Sequence, residues 1–109
     1  MIKQVILVPT YLGMSPGKIV SQCCHVAVPF SGHGVQKRII LKIDSAKHLE
    51  TLKRLRDACW PVLHYDEPTW LEFVDSAPTT EGTEGKITAI SIVGQERYVD
   101  MVTGHLELL

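Results

Sequence analysis

Apolar positions along the chain switch between two periods, and the switches mark out its elements. Lys3 to Val8 is almost continuously apolar and ends at Pro9, the pattern of a central strand covered on both faces. Gly13, Pro16 and Gly17 then punctuate a loop, in which Ser15-Pro16 reads as a helix N-cap followed by proline in the first turn. Ile19, Val20, Cys23, Val26 and Ala27 recur at helical spacing, predicting a helix with that face inward that stops near Pro29. A short connector, Ser31 to Gly34, leads to a second strand around Ile39-Ile40-Leu41. Asp44-Ser45 opens a second helix with Leu49, Leu52, Leu55 and Cys59 inward, closed by Trp60-Pro61. Val62-Leu63 and Trp70 to Val74 predict a third strand, interrupted around Asp66-Glu67-Pro68. After a polar loop from Thr79 to Gly85, Ile87 to Val93 alternates as a fourth strand. Gln95 to Val102 predicts a last helix stopped by Gly104, and Leu106-Glu107-Leu108 a strand-like tail. The order βαβαββα plus a tail specifies an α/β layered domain with a small mixed sheet.

Composition narrows the picture. At 109 residues the chain is expected to form one domain, 1–109, whose modest core favours oligomerisation or ligand binding as a source of stability. The balance of 11 Lys+Arg against 12 Asp+Glu excludes a surface that is basic everywhere, so a polyanionic partner has to be met by a local patch. The longest uninterrupted apolar run, Val5 to Val8, is far below the roughly 20 residues of a membrane-spanning helix. Lys3 leads straight into the first strand with no signal core, and the expected location is the cytoplasm. Of three cysteines, Cys23 and Cys24 are neighbours, an arrangement that fits neither a disulfide framework nor a metal site. They read as small core packers in a reducing compartment, and no cofactor is expected.

The segment richest in chemistry is Lys18 to His25. At about 100° per residue Gln22 lies roughly 40° from Lys18 and His25 roughly 20° to the other side, so the three share one polar stripe beside the apolar face. Lys18 sits in the first turn, where it opposes the helix dipole unless an anion joins it. Taken alone, the stripe also fits a solvated surface with His25 edging the core. Gly17 in a first turn costs about 1 kcal/mol relative to alanine, which is explained if a ligand must approach closely. A second candidate is the loop from Asp75 to Thr79, directly after a strand, with Thr88 opening the next one. A hairpin-closing Asx turn explains the same loop locally. Gly82 to Lys86 lacks the spacing and the following Ser/Thr of a phosphate-binding loop. Cys24 and His25 point about 100° apart and form no nucleophile–base dyad. Lys47, Lys53, Arg54 and Arg56 make the second helix basic, with Glu50 spaced to pair with Lys53 and Arg54.

Leu12-Gly13-Met14-Ser15-Pro16-Gly17-Lys18, followed by Gln22-Cys23-Cys24-His25, resembles the signature of the type 2 peptidyl-tRNA hydrolases, a Leu-x-Met-x-x-Gly-Lys loop running into a Gln-x-x-His helix. Lys37 to Lys42 is similar to that family's second strand, and Val102-Thr103-Gly104-His105-Leu106-Glu107-Leu108 to its C-terminus. The resemblance implies a three-layer α/β fold with a mixed four-stranded sheet flanked by helices, a homodimer, no membrane or DNA partner, and peptidyl-tRNA as substrate. Carried over by motif, the site residues are Lys18, His25, Asp75 and Thr79 as catalytic groups, with Gln22, Gly17 and Thr88 binding substrate. Three features depart from the pattern. Tyr11 replaces an acidic residue, Ser76-Ala77-Pro78 replaces Ala-Gly-Arg, and Val28 to Val35 is short for the usual helical connection.

These residues point to water as nucleophile, activated by His25, or by Asp75 if burial raises its pKa. Thr79, Thr88 or backbone N–H groups would stabilise the oxyanion, Lys18 would hold the tRNA end and Gln22 would orient the substrate. Two alternatives stay open: a catalytically inactive relative that binds tRNA or protein, and a hydrolase of another acyl ester.

Overall fold

The computed structural model describes residues 1–60, 67–76 and 82–109. Four strands, β1 (Ile2–Pro9), β2 (Lys37–Ile43), β3 (Thr69–Val74) and β4 (Ile87–Gln95), form one sheet in the order β2-β1-β4-β3. β1 is central and buried from Lys3 onward, as its unbroken apolar run requires. It pairs parallel to β2 and antiparallel to β4, while β3 pairs antiparallel to β4. The sheet is therefore mixed, and the predicted α/β architecture holds.

Among the described residues three α-helices flank it: α1 (Pro16–Ala27), α2 (Ala46–Cys59) and α3 (Glu96–Thr103). Both expected caps form, the Ser15 hydroxyl accepting from the Lys18 amide at 3.3 Å and the Ser45 hydroxyl from the His48 amide at 3.0 Å. Helix α2 lays Leu49 and Leu52 on Val5, Leu7, Leu41, Ile43, Ile90 and Ile92, joined by Trp60 and by Val99 and Val102 of α3. On the opposite face Cys23 and Val26 of α1, with Met14 before it, meet Ile6, Val8 and Ala89. The core is thus two apolar layers divided by the sheet.

Two core assignments change. Val20, expected inward, is 63% exposed, and Cys24, expected as a core packer, is also exposed. Both fall on the side of α1 that overhangs β2, where the connector to β2 is only a 3-10 turn, Val28–Phe30, that buries Phe30. Val62-Leu63 and Asp66 fall outside the described residues. The tail crosses back to β2, with the Lys42 amide donating to the Glu107 carbonyl at 3.0 Å and the Leu109 amide to the Ile40 carbonyl at 3.1 Å. Among the described residues no helix is long and apolar enough to cross a membrane.

Candidate functional site

Helix α1 runs along β3 and β4, and its polar stripe faces them. Lys18 stands in the first turn, Gln22 one turn on and His25 about one turn further. Opposite Lys18 the chain leaves β3 at Asp75, whose amide donates to the Lys86 carbonyl at 3.0 Å and whose carbonyl accepts from the Gly85 amide. Gly85 turns here at φ +77°, a conformation that side chains resist. The hairpin thereby closes through the Asp75 backbone, and the carboxylate points instead to Lys18 and Thr83. Asp75 is 4% exposed, and its Oδ2 accepts from Lys18 Nζ at 2.8 Å and from the Thr83 hydroxyl at 2.7 Å.

The ion pair joins residues 57 positions apart in the chain. A buried carboxylate without its cation carries a penalty of several kcal/mol, so Lys18 and Asp75 fix each other and tie α1 to the end of β3. The unfavourable first-turn position of Lys18 is resolved by an anion the protein supplies itself.

Gln22, which the stripe also allowed to be a solvated residue, is buried. Its Oε1 and the Thr88 hydroxyl are both buried and have no hydrogen-bond partner among the described residues. Burying such a group unpaired costs about 1–3 kcal/mol, so the two atoms stand out from the otherwise satisfied polar groups of this face. Thr88 owes its place to a β-bulge: Phe73 pairs with Ala89 but Val74 with Ile87, leaving Thr88 as the extra residue. The bulge reverses the alternation of β4, since Ala89 packs under α1 while Ile87 packs with the α2 side.

His25 is exposed and lies flat on Phe73, with ring centroids 4.5 Å apart and planes 2° from parallel. The stack fixes the imidazole plane and leaves its nitrogen-bearing edge open. Gly17 is exposed, and a Cβ there would meet nothing within 4 Å, so no contact within the protein requires glycine at this position. Thr79 lies outside the described residues.

The structure therefore brings Lys18 and Asp75 into contact, with Gln22 and His25 on the same helix. Two neighbours escaped the sequence reading. Thr83 sits in the glycine-rich tract that fails as a phosphate loop, and Phe73 reads only as one more apolar residue of β3. An aromatic two residues before the aspartate, on the face α1 covers, was the available signal for Phe73. Nothing local marked Thr83. Among the described residues no cluster of His, Cys, Asp or Glu could hold a metal ion.

The arrangement couples a charged pair to two unmatched buried polar atoms and an accessible imidazole, a set suited to binding and cleaving a polar acyl compound. The sequence profile of the family described as peptidyl-tRNA hydrolase PTH2 matches residues 2–109, so both motifs, the sheet that presents them and the loop between them fall within one continuous match. The chain belongs to the peptidyl-tRNA hydrolase PTH2 family.

Proposed function

We propose that this protein hydrolyses the ester joining a peptide, or an N-blocked amino acid, to the 3′ end of tRNA, with water as the nucleophile. The observation that carries the reading is the Lys18–Asp75 pair flanked by the buried, unmatched oxygens of Gln22 and Thr88. Gln22 Oε1 accepts the amide N–H that a blocked amino acid presents. The Thr88 hydroxyl donates to the carbonyl oxygen as negative charge develops on it. Lys18, with 17% of its side chain exposed, keeps a cation at the mouth for the tRNA end. His25, whose nitrogens have no hydrogen-bond partner among the described residues, takes the proton of the attacking water. Asp75 holds Lys18 in register, and Thr79 and Gly17 remain expected contributors.

The homodimer belongs to the same proposal. It is supported by a wholly apolar groove between α1 and β2, lined among others by Val20, Cys24, Ile40 and Leu109. Sedimentation would report a dimer that Val20→Glu disperses.

The deciding experiment gives purified protein N-acetyl-aminoacyl-tRNA and follows release of the acetylated amino acid. Turnover that Lys18→Ala abolishes supports the reading. No hydrolysis above that control overturns it, and retained tRNA binding would then identify a binding module.

A further inference from the structure

A groove of about 550 Å³ lies beside the site, lined by Tyr11, Leu12, Ala46, Leu49, Glu50, Lys53 and the segment Gly85 to Ile87. Its position follows from the topology. Strands β1 and β2 are adjacent and parallel. The chain leaving β1 turns to α1 on one face, and the chain leaving β2 turns to α2 on the other. Where neighbouring parallel strands send their connections to opposite faces, a crevice opens at their carboxyl ends, the usual ligand position in open α/β sheets. Tyr11 and Leu12 come from the first connection, Ala46 to Lys53 from the second.

The groove adjoins the site, because two of its lining residues, Gly85 and Lys86, hydrogen-bond the backbone of Asp75. Its chemistry is uneven. Tyr11 is 38% exposed, an aromatic face at the rim. Burial, and then the charge of Glu50, push the Tyr11 phenol above its ordinary pKa, so the ring stays neutral beside that carboxylate. Lys53 is paired with Glu72 at 3.4 Å and approaches Glu50 at 3.9 Å. Lys86 is exposed, and its ammonium has no carboxylate partner among the described residues. An aromatic platform, a carboxylate and an unpaired cation form the complement of a nucleotide: a base face, an exocyclic amino group and a phosphate.

We propose that this groove binds the 3′-terminal nucleotides of the tRNA, with Tyr11 stacking on a base, Glu50 accepting its exocyclic amino group and Lys86 meeting a phosphate. The inference rests on the hydrolase reading for the identity of its ligand. It also gives a role to the one departure from the family signature that lies in the loop before α1, where an acidic residue would offer a base no stacking face.

The probe is the trinucleotide cytidylyl-cytidylyl-adenosine, titrated into the 15N-labelled full chain and followed by NMR. Shifts at Tyr11, Ala46, Glu50 and Lys86 are expected. Tyr11→Ala should weaken binding by roughly tenfold, the scale of one stacked base, while Tyr11→Phe, which keeps the ring, should bind like the parent. Lys86→Ala should lower the salt dependence of binding by about one phosphate contact. Shifts absent from these residues, or unchanged affinity in a folded Tyr11→Ala protein, would overturn the proposal. Trinucleotide binding in the groove without ester hydrolysis would sustain the groove and remove the hydrolase reading, and hydrolysis without shifts at Tyr11 would do the reverse.

Discussion

Under α2 and α3 the sheet presents Val5, Leu7, Leu41, Ile43, Ile90 and Ile92, and the helices answer with Leu49, Leu52, Val99 and Val102. Under α1 the same strands carry a smaller apolar cluster, and polar groups share the space. Gln4, fully buried, donates to Ser91 at 2.9 Å and accepts from Arg38 at 3.0 Å, while the Oε1 of Gln22 on the helix has no partner among the described residues. One face is organised for stability. The other gives up part of its apolar packing to hold polar atoms, two of them without a hydrogen-bond partner among the described residues. The difference teaches that burial alone does not identify core in this protein, since Leu52 and Gln22 are both buried for opposite reasons.

Substitutions on the two faces should separate activity from stability. The largest effect is expected for His25→Ala, which removes the proposed proton acceptor and should slow ester hydrolysis by about 10²–10⁴-fold with little change in melting, because the ring is exposed. Steady-state hydrolysis and a thermal melt on the same sample check both halves. Leu52→Ala should do the converse, costing about 2–5 kcal/mol in denaturant unfolding with the turnover of folded protein unchanged. If Leu52→Ala also abolished turnover, the division between the faces would fail.

Gln22→Met is the sharpest test. It keeps the volume but removes a buried carbonyl that has no hydrogen-bond partner among the described residues, so stability should hold or rise by up to about 1 kcal/mol while hydrolysis falls by roughly tenfold or more. A clear loss of stability would mean that Gln22 is bonded in the free protein, and its assigned role would go.

The two adjacent cysteines offer a smaller contrast. Cys24 is exposed, whereas burial first, and then its neighbour Cys24, push the Cys23 thiol above its ordinary pKa. Since the thiolate is the reactive form, iodoacetamide should label Cys24 well before Cys23, as peptide mass mapping would show.

The smallest effect belongs to the ion cluster at the start of β1. Its hydrogen bond with Lys37 first lowers the Glu96 pKa, and the same bond raises that of Lys37. The Glu96 contribution is present above its ordinary value of 4.5 and disappears as pH falls through the lowered one. The Lys37 contribution is present below 10.5 and disappears as pH rises through the raised one. Melting of the Glu96→Gln variant should therefore sit slightly below the parent near neutrality and converge with it in acid.

The element order, both serine caps and the inward faces of α2 were legible because local rules decide them: periodicity, N-cap chemistry and proline. Lys18, Gln22 and His25 were legible as a stripe, and their resemblance to a family motif supplied the family that spacing could not. Long-range pairing was beyond reach. No local pattern shows that Thr83 will donate to Asp75, or that a bulge will make Thr88 the extra residue and turn Ile87 to the other face. The misplacement of Val20 and Cys24 has the same origin, since helical periodicity assumes that something covers the whole apolar arc and the connector to β2 is too short to do so.

The return of Glu107 to Leu109 along β2 bears on how copies of this protein meet. An outer strand normally displays a row of unpaired amides and carbonyls that a neighbouring chain can complete, the usual opening for uncontrolled stacking of sheets. Here Lys42 and Ile40 already spend that capacity on the tail. Sheet extension along this stretch of β2 is closed, so an assembly at this rim has to form through side chains. Cutting back residues 107–109 would uncover the Ile39-Ile40-Leu41 run and turn a covered edge into an adhesive one.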